Sequence, residues 1–579
     1  MMQNEQKKEQ SGKGARRWLR RFAAEEDGAL IILSIQIFLV MLVCTGIAID
    51  LVRQEERRTL IQNTIDRAAL AAASLSQDLD PEFVVKDYVE KAGLSYLDIK
   101  PVVEEGSFKE WRRVTISVKD RMPTIFGPLV GVTELAAAGN SQAEESVGNV
   151  EISLVLDISG SMDYNIYHDN DSRYMGVYPT RMDQLRPAAL NFVDQMFDTV
   201  QPPTAPAGRL SISIVPYNQQ VTLGSQVSSV FKLSSDHTKN TCADLEVLSD
   251  TSIAISPSTT LQRTMYGDSF DYWGQAALGQ GTWSVQTNAY NMNCKENSVS
   301  SVLAFSNDQT TINNKINALT PGGDTAIDIG ARWGLGLLDP AARPALTSMI
   351  SKNWASSDLA GRPLDYDDGT KAVDETSMKV LVLMTDGQNT RSYSTKPAYR
   401  TGESNFVSTV SASAFSNSSN STYWNGLYYY DASRTKPYYS FRYAKWYYAY
   451  QMPSNIYPIT WDTIWDKGYS LQYVIQTFLY PPMHSISYSN TTTSIYEDMA
   501  VQSEFTDKDT ALSNLCTTAK DKTHGIVVFT VAVNAPTEGR EILRKCATAD
   551  SYAYNVTASG LTDAFASIAS SINSLRLTN

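Results

Sequence analysis

Three separated segments of the sequence carry oxygen side chains that together could hold a hard metal ion. Asp157, Ser159 and Ser161 fall in DISGS directly after the apolar run VEISLVL, Thr325 falls in PGGDTA ahead of a helical pattern, and Asp386 falls in MTDG at the end of another apolar run. Short Val- and Ile-rich runs of this kind are buried strands. Open α/β sheets bind ligands beyond the carboxyl ends of their strands, so the three segments are expected to meet in one crevice. Mg²⁺ takes roughly six oxygens, several of them water, so two carboxylates and three hydroxyls leave room for a further ligand. Mg²⁺ is the first expectation, with Mn²⁺ and Ca²⁺ as the other hard cations. The hydroxyls add no charge, so the two carboxylates balance the ion without over-neutralising it, and it can still attract a carboxylate from outside. The pattern predicts a docking site whose metal ligands are Asp157, Ser159, Ser161, Thr325 and Asp386.

Other titratable residues near these segments have simpler readings. Asp163 and Asp324 lie close enough to alter the site, but Asp324 precedes TAIDIG at a helix start and is expected to cap it. His168 and His237 stand in polar segments without a nucleophile motif such as G-x-S-x-G, and are expected at the surface. No catalytic residue and no organic cofactor is predicted, and the chain is read as non-enzymatic. A metal-dependent hydrolase of envelope polymers would need a base or nucleophile in the same crevice, and no pattern supplies one.

The elements that must position the site alternate along the chain. RLSISIVPYN, MKVLVLMTDG and GIVVFTVAVN join VEISLVLD as short buried strands, separated by the helical patterns DQLRPAALNFVDQMF, TTINNKINAL, DTAIDIGARWGLGLL and KDTALSNLCTTAKDK and closed by LTDAFASIASSINSL. This predicts an α/β fold, a doubly wound and mainly parallel sheet covered on both faces, over residues 149–579. Two long insertions, about 222–305 and 391–500, interrupt it. The second holds 18 of the 31 tyrosines. Tyrosine gives contact area and a hydroxyl at low entropy cost, so this segment is either a recognition surface or a self-packed unit that buries its own rings.

Ahead of this domain, residues 81–148 read as a small α+β region, with GNSQAEESVG (139–148) as its polar exit linker. Residues 50–80 carry Leu51, Leu60, Ile61, Ile65, Ala68, Ala69 and Ala72 at helical spacing without Pro or Gly before Leu79, which predicts an amphipathic stem. Residues 28–49 contain no charge and match the ~20 residues needed to cross a bilayer. Seven Lys and Arg in the tail 1–27 predict that this tail is cytoplasmic and the body exported. A net charge of −13, with only the first 21 residues clearly basic, argues against a nucleic-acid partner. Of five cysteines, Cys44 lies in the apolar segment. Cys242, Cys294, Cys516 and Cys546 are even in number and free of CxxC spacing, so an oxidising compartment makes two bridges the natural reading, with buried thiols as the alternative.

The run EEDGALIILSIQIFLVMLVCTGIAIDLVRQEERRTLIQNTIDRAALAAA resembles the N-terminal region of TadG-like proteins of tight-adherence (Tad/Flp) pilus systems. In the related pseudopilins a peptidase cuts after a Gly that is followed by Glu at the fifth mature position. Here Leu33 stands at that offset from Gly28, which favours a permanent anchor. DISGS, GGDT and TDG in this order resemble the metal-ion-dependent adhesion site of von Willebrand factor A domains. That resemblance implies direct metal ligation by Ser159 and Ser161, direct or water-mediated ligation by Thr325, and mostly water-mediated ligation by Asp157 and Asp386. Within this frame a Cys516–Cys546 link would pin the flanks of the last long strand, and Cys242–Cys294 would staple the first insertion. The C-terminal run, through LRKCATAD and LTDAFASIASSINSLRLTN, is TadG-like as well.

The two resemblances together imply a single-pass protein of the bacterial inner membrane, N-terminus cytoplasmic, with its main domain periplasmic or surface-exposed. It would act in pilus assembly or adhesion and grip a protein partner, another pilus-assembly or surface component, through a carboxylate on the metal. A minor pilin or tip adhesin incorporated into the pilus is the alternative.

Overall fold

The computed structural model describes residues 26–74, 79–105, 111–146, 148–168, 171–203, 205–245, 252–268, 292–297, 299–366, 377–417 and 426–578. The basic tail up to residue 25, and the part of the stem at 75–78, lie outside the described residues. The chain divides into two compact units, Met1–Ser146 and Val147–Asn579.

The first unit is built on one helix, Glu26–Ala73, of 48 residues and about 72 Å. Residues 28–49 of it carry no charge, the side chains from Leu30 to Leu42 face outward, and the helix is long and apolar enough to cross a membrane. Its second half is the stem, and Ile61, Ile65, Ala68, Ala69 and Ala72 are buried, whereas Leu51 and Leu60 stay exposed. These small and branched residues pack with Val84, Val85 and Val89 of the helix Pro81–Lys91, and with a three-stranded antiparallel sheet of β1 (Val102–Glu105), β2 (Trp111–Pro123) and β3 (Glu134–Ser146). The polar run expected as a linker is thus mostly strand. Residues 139–146 continue β3 and pair with β2 up to Trp111 opposite Ser146. Composition misleads here because the inward positions are small for a packing reason, since a Cβ at Gly139 would lie 2.9 Å from the Ile65 side chain. Gln54 and Gln62 of the stem donate to the Ala136 and Asn140 carbonyls at 2.8 and 3.0 Å, which fixes the helix along this strand.

Asp50, the first residue after the apolar segment, ties the helix to the far end of the same hairpin. Its Oδ1 accepts from the Ile125 N–H at 3.0 Å, and its Oδ2 accepts from Phe126 and Gly127 at 2.8 and 2.9 Å. Burial pushes this carboxyl up, but the three N–H groups and Arg53 outweigh it and hold Asp50 below its ordinary value.

The second unit opens with β4 (Asn149–Asp157), followed by β5 (Leu210–Tyr217), β6 (Leu303–Ser306) and β7 (Ser377–Thr385). The second insertion contributes β8 (Ser392–Thr395), β9 (Glu403–Ser408), β10 (Leu427–Tyr430), β11 (Tyr438–Ser440), β12 (Lys445–Tyr447), β13 (Tyr457–Thr460) and β14 (Ala500–Ser503), and the chain finishes with β15 (Val527–Val533) and β16 (Ala553–Val556). Six of these form one sheet in the order β16-β15-β7-β4-β5-β6, parallel except for edge strand β6. This is the doubly wound, mainly parallel sheet expected from the sequence.

Alternation along the strands sorts the core into two layers. Val155, Val215, Leu381, Leu383 and Val528 face the helices Ile327–Leu338, Phe505–Ala519 and Thr537–Cys546. Ile152, Leu154, Ile212, Val380, Val382 and Val531 face Arg181–Val200, Gln309–Ala318 and Leu561–Thr578. Ile327–Leu338 is buried along its whole length and lies so close to the sheet that a Cβ at Gly334 would come 2.4 Å from Val155.

The tyrosine-rich insertion packs on itself. β12-β11-β10-β9-β13 form an antiparallel sheet whose centre is Phe406, with the rings of Tyr429, Phe441, Trp461 and Phe478 at 5.7–6.2 Å. Tyr393, Tyr429, Tyr439, Tyr469 and Tyr496 are buried there, so much of the aromatic content serves a local core. Arg400 ties this unit to the first insertion through Asp236 and Asp244 at 3.0 and 3.2 Å.

Two disulfides are formed, Cys242–Cys294 across the first insertion and Cys516–Cys546 between the two helices flanking β15. Replacing Cys516 and Cys546 with Ser is expected to cost about 2–4 kcal/mol, because the unfolded chain regains the freedom of a long loop. Thermal unfolding without reductant measures this, and an unchanged midpoint would show that the link adds no stability.

Candidate metal centre

β4 is central, and the chain leaves it to one side for β5 and returns on the other as β7. This reversal opens a crevice at the carboxyl ends of β4 and β7. Asp157 is the last residue of β4, and Asp386 directly follows β7.

Four of the five expected ligands form one hydrogen-bonded cluster. Ser159 Oγ and Ser161 Oγ lie 2.9 Å apart, Ser161 Oγ donates to Asp386 Oδ1 at 2.6 Å, and Ser159 Oγ lies 3.5 Å from the same oxygen. Asp157 accepts from the Ser159 N–H through Oδ1 at 2.7 Å and from Thr385 Oγ1 through Oδ2 at 2.6 Å. Thr325 sits beside Gly387, where an added Cβ would lie 3.2 Å from its hydroxyl. Its loop reaches the crevice through backbone bonds from Gly160 N to Gly323 O and from Gly322 N to Ile158 O, both 2.8 Å. Gly323 has φ of 87° and is pressed against the Gln219 amide, leaving no room for a side chain. Gln219 in turn accepts from Asp324 N at 2.9 Å and donates to Met292 O at 2.8 Å, linking this loop to the first insertion.

The sequence reading missed Arg181. It is the first residue of its helix, set by a capping box between Thr180 and Asp183, and its guanidinium donates to Asp386 Oδ2 at 2.6 Å. Both side chains of that pair are buried. An Arg one residue past a Thr cap was visible as a helix start, but nothing local tied it to a residue more than two hundred positions away. Thr385 was hidden in the same way, inside an apolar strand.

Two expectations are corrected. Asp324 does not cap the following helix, which starts at Ile327, where the Asn389 side chain accepts from the first N–H at 2.7 Å. His237 is buried rather than exposed, with Nε2 2.9 Å from Thr264 O and Nδ1 accepting from Lys239 N. Burial lowers its pKa, and both ring nitrogens are engaged, as suits a structural histidine. Asp163 sits in the turn Gly160–Asp163, where its carbonyl accepts from Gly176 N at 2.9 Å. His168 is exposed, stacked on Tyr174.

Electrostatics favour an added cation. Burial and then the charge of Asp386 push Asp157 up to about 7. Burial also raises Asp386, although Arg181 and the two serines oppose it. Two buried carboxylates thus face one guanidinium, and ionising both in this low-dielectric setting calls for a further positive charge. Among the described residues no three His, Cys, Asp or Glu side chains converge, so the donor set here is two carboxylates with hydroxyls. Such oxygens fit a hard divalent ion and not a soft one.

Residues 28–75 match the family model described as putative Flp pilus-assembly TadE/G-like. No curated protein sequence matches the chain significantly. Among solved structures, the chain is similar to the pilus adhesin SpaC from Lactobacillus rhamnosus GG at 12% identity and a TM-score of 0.28, over 82% of this chain but 34% of SpaC. It is similar to the vWF domain of the type V pili tip protein Mfa5 from Porphyromonas gingivalis at 14% identity and 0.28, over 74% and 95% of the two chains. It is similar to the PilB minor pilin from Streptococcus sanguinis at 13% and 0.26, over 82% and 78%. The apolar segment and the stem, residues 28–75, form a TadE/G-like Tad pilus-assembly domain.

Proposed function

We propose that this is a membrane-anchored Tad/Flp pilus-assembly or adhesion protein whose main domain docks a protein partner through a divalent cation. The observation that carries this reading is the convergence of Ser159, Ser161, Asp157 and Asp386 at the switch point of the sheet, with the Thr325 loop beside them. These five residues would hold the ion. When bound, it supplies an open coordination position for an outside carboxylate. The chain's own part is to preset the oxygens: Thr385 and the Ser159 N–H fix Asp157, Arg181 fixes the far oxygen of Asp386, and the glycine turn brings Thr325 in. The span would hold the chain in the inner membrane, tail inside, with the main domain exported. The partner is another component of the pilus or of the surface, and no chemical turnover is involved.

An ion that binds only the folded state stabilises it by about 2.7 kcal/mol at a hundred times its Kd. Titration of Mg²⁺ or Mn²⁺ into the purified protein is therefore expected to show saturable heat and a raised unfolding temperature, both lost in Asp157→Asn and in Ser161→Ala. A wild type that neither binds nor shifts would remove the metal-gated reading and leave a polar turn network.

A further inference from the structure

The hairpin between β2 and β3 ends in an unusual tip. From Met122 to Thr133 the sequence is MPTIFGPLVGVT, twelve residues without a charge, in a unit whose strands are otherwise rich in Arg, Lys and Glu. Ile125, Leu129, Val130 and Val132 point outward with 61, 62, 50 and 41% of their surface exposed. The fold fixes this exposure: Thr124 N and Oγ1 bond to Thr133 O and Val132 O, Val132 N bonds to Gly127 O, and Gly131 turns the chain at φ 82°. Four bulky apolar side chains on one rigid turn need a reason.

Their position supplies it. Asp50 clamps Ile125, Phe126 and Gly127 to the helix at the point where the charge-free segment ends. Phe126 reaches further, and a Cβ at Gly46 would lie 2.6 Å from its ring. Gly46 is four residues into the apolar segment, about 6 Å along the helix axis from Asp50. The tip is therefore continuous with the outward-facing apolar surface of the helix. Charges resume with Arg53 on the helix, and with Arg121 and Glu134 on the strands. A surface element with apolar residues on one side and charges just above matches the ~5–10 Å depth of interfacial insertion.

We propose that this tip is seated in the bilayer interface beside the spanning helix, with Ile125, Leu129, Val130 and Val132 among the headgroups and upper acyl chains. The inference rests on the reading of residues 28–49 as a membrane span. The tip gives the anchor a second foot, so the first unit is held against tilting and rotation about the helix. Asp50 is the joint: its carboxylate accepts the three N–H groups that would otherwise lie unpaired near lipid.

The test uses the full chain with Cys44→Ser, reconstituted into phosphatidylethanolamine–phosphatidylglycerol vesicles and spin-labelled at single introduced cysteines. Leu129→Cys and Val130→Cys are expected to show an oxygen-to-nickel-chelate accessibility ratio several-fold above that of Lys100→Cys, and approaching that of Leu39→Cys in the span. Adding Asp50→Ala is expected to bring the ratio at 129 down towards the aqueous reference. An aqueous ratio at 129 with a lipid ratio at 39 overturns the tip proposal alone, whereas an aqueous ratio at 39 overturns the span. Shielding from both reagents at 129 means that protein covers the tip, and this too overturns the proposal.

Discussion

Asp386→Ala is expected to destabilise the main domain by about 3–5 kcal/mol with chelator present, before any metal is considered, because it breaks a buried ion pair. Denaturant unfolding followed by tryptophan fluorescence measures the loss. Arg181→Met combined with Asp386→Ala should recover much of it, since an apolar group of similar length replaces the buried charge that the broken pair leaves behind. Full stability of Asp386→Ala would mean that Arg181 draws no support from this carboxylate. The consequence for functional work is practical. Loss of partner binding in Asp386→Ala would mix misfolding with loss of a ligand, and Ser161→Ala, which leaves the ion pair in place, isolates the second.

Glu151→Ala is expected to cost a similar amount, about 3–5 kcal/mol, at the amino end of β4, the end away from the crevice. Glu151 sits inside β4 with Oε1 accepting from Arg362 at 3.0 Å and Leu364 N at 2.9 Å, and Oε2 accepting from Lys379 at 2.6 Å. Burial pushes Glu151 up, but Lys379 and Arg362 together overcome it and leave its pKa below 4.5. The two cations are each shifted down, because burial costs both more than Glu151 returns, and Arg362 lowers Lys379 further. The sign for Glu151 follows from the lowered value. Its contribution is complete above 4.5, where the unfolded carboxyl is also ionised, and is lost as pH falls below that through the folded value. The stability gap between wild type and Glu151→Gln should therefore shrink on acidification from about pH 5 downward. A gap that stays constant there would place the network's stability elsewhere.

The sheet was legible because β4, β5, β7 and β15 are apolar on both faces, which only a covered parallel sheet explains. The candidate ligands were legible because each sits at a strand end or a glycine turn, where a local pattern marks it. What the sequence hid were partners supplied across long separations. Arg181, Thr385 and Asn389 acquire their roles only when the sheet brings β4 and β7 side by side. Glu151 was a clue of a different kind: a carboxylate within VEISLVL has to find cations, but which ones is decided by the fold. The run from Gly139 to Ser146 was misread because small polar residues look like a linker when the helix that needs their smallness lies far away in sequence. In the tyrosine-rich insertion, ring content pointed equally to a surface and to a core, and strand pairing around Phe406 decides for the core.

β4 has one more property. The first unit ends at Ser146 and the strand begins at Asn149, and eight residues later the strand delivers Asp157 to the crevice. In the docking function proposed above, a pull between a gripped partner and the membrane would enter the main domain at the amino end of β4. The strand is flanked along its length by β5 and β7 on parallel register, so extraction would have to shear both ladders at once rather than peel them bond by bond. The candidate site and the proposed tether would then be in series on a strand held by a parallel neighbour on each side.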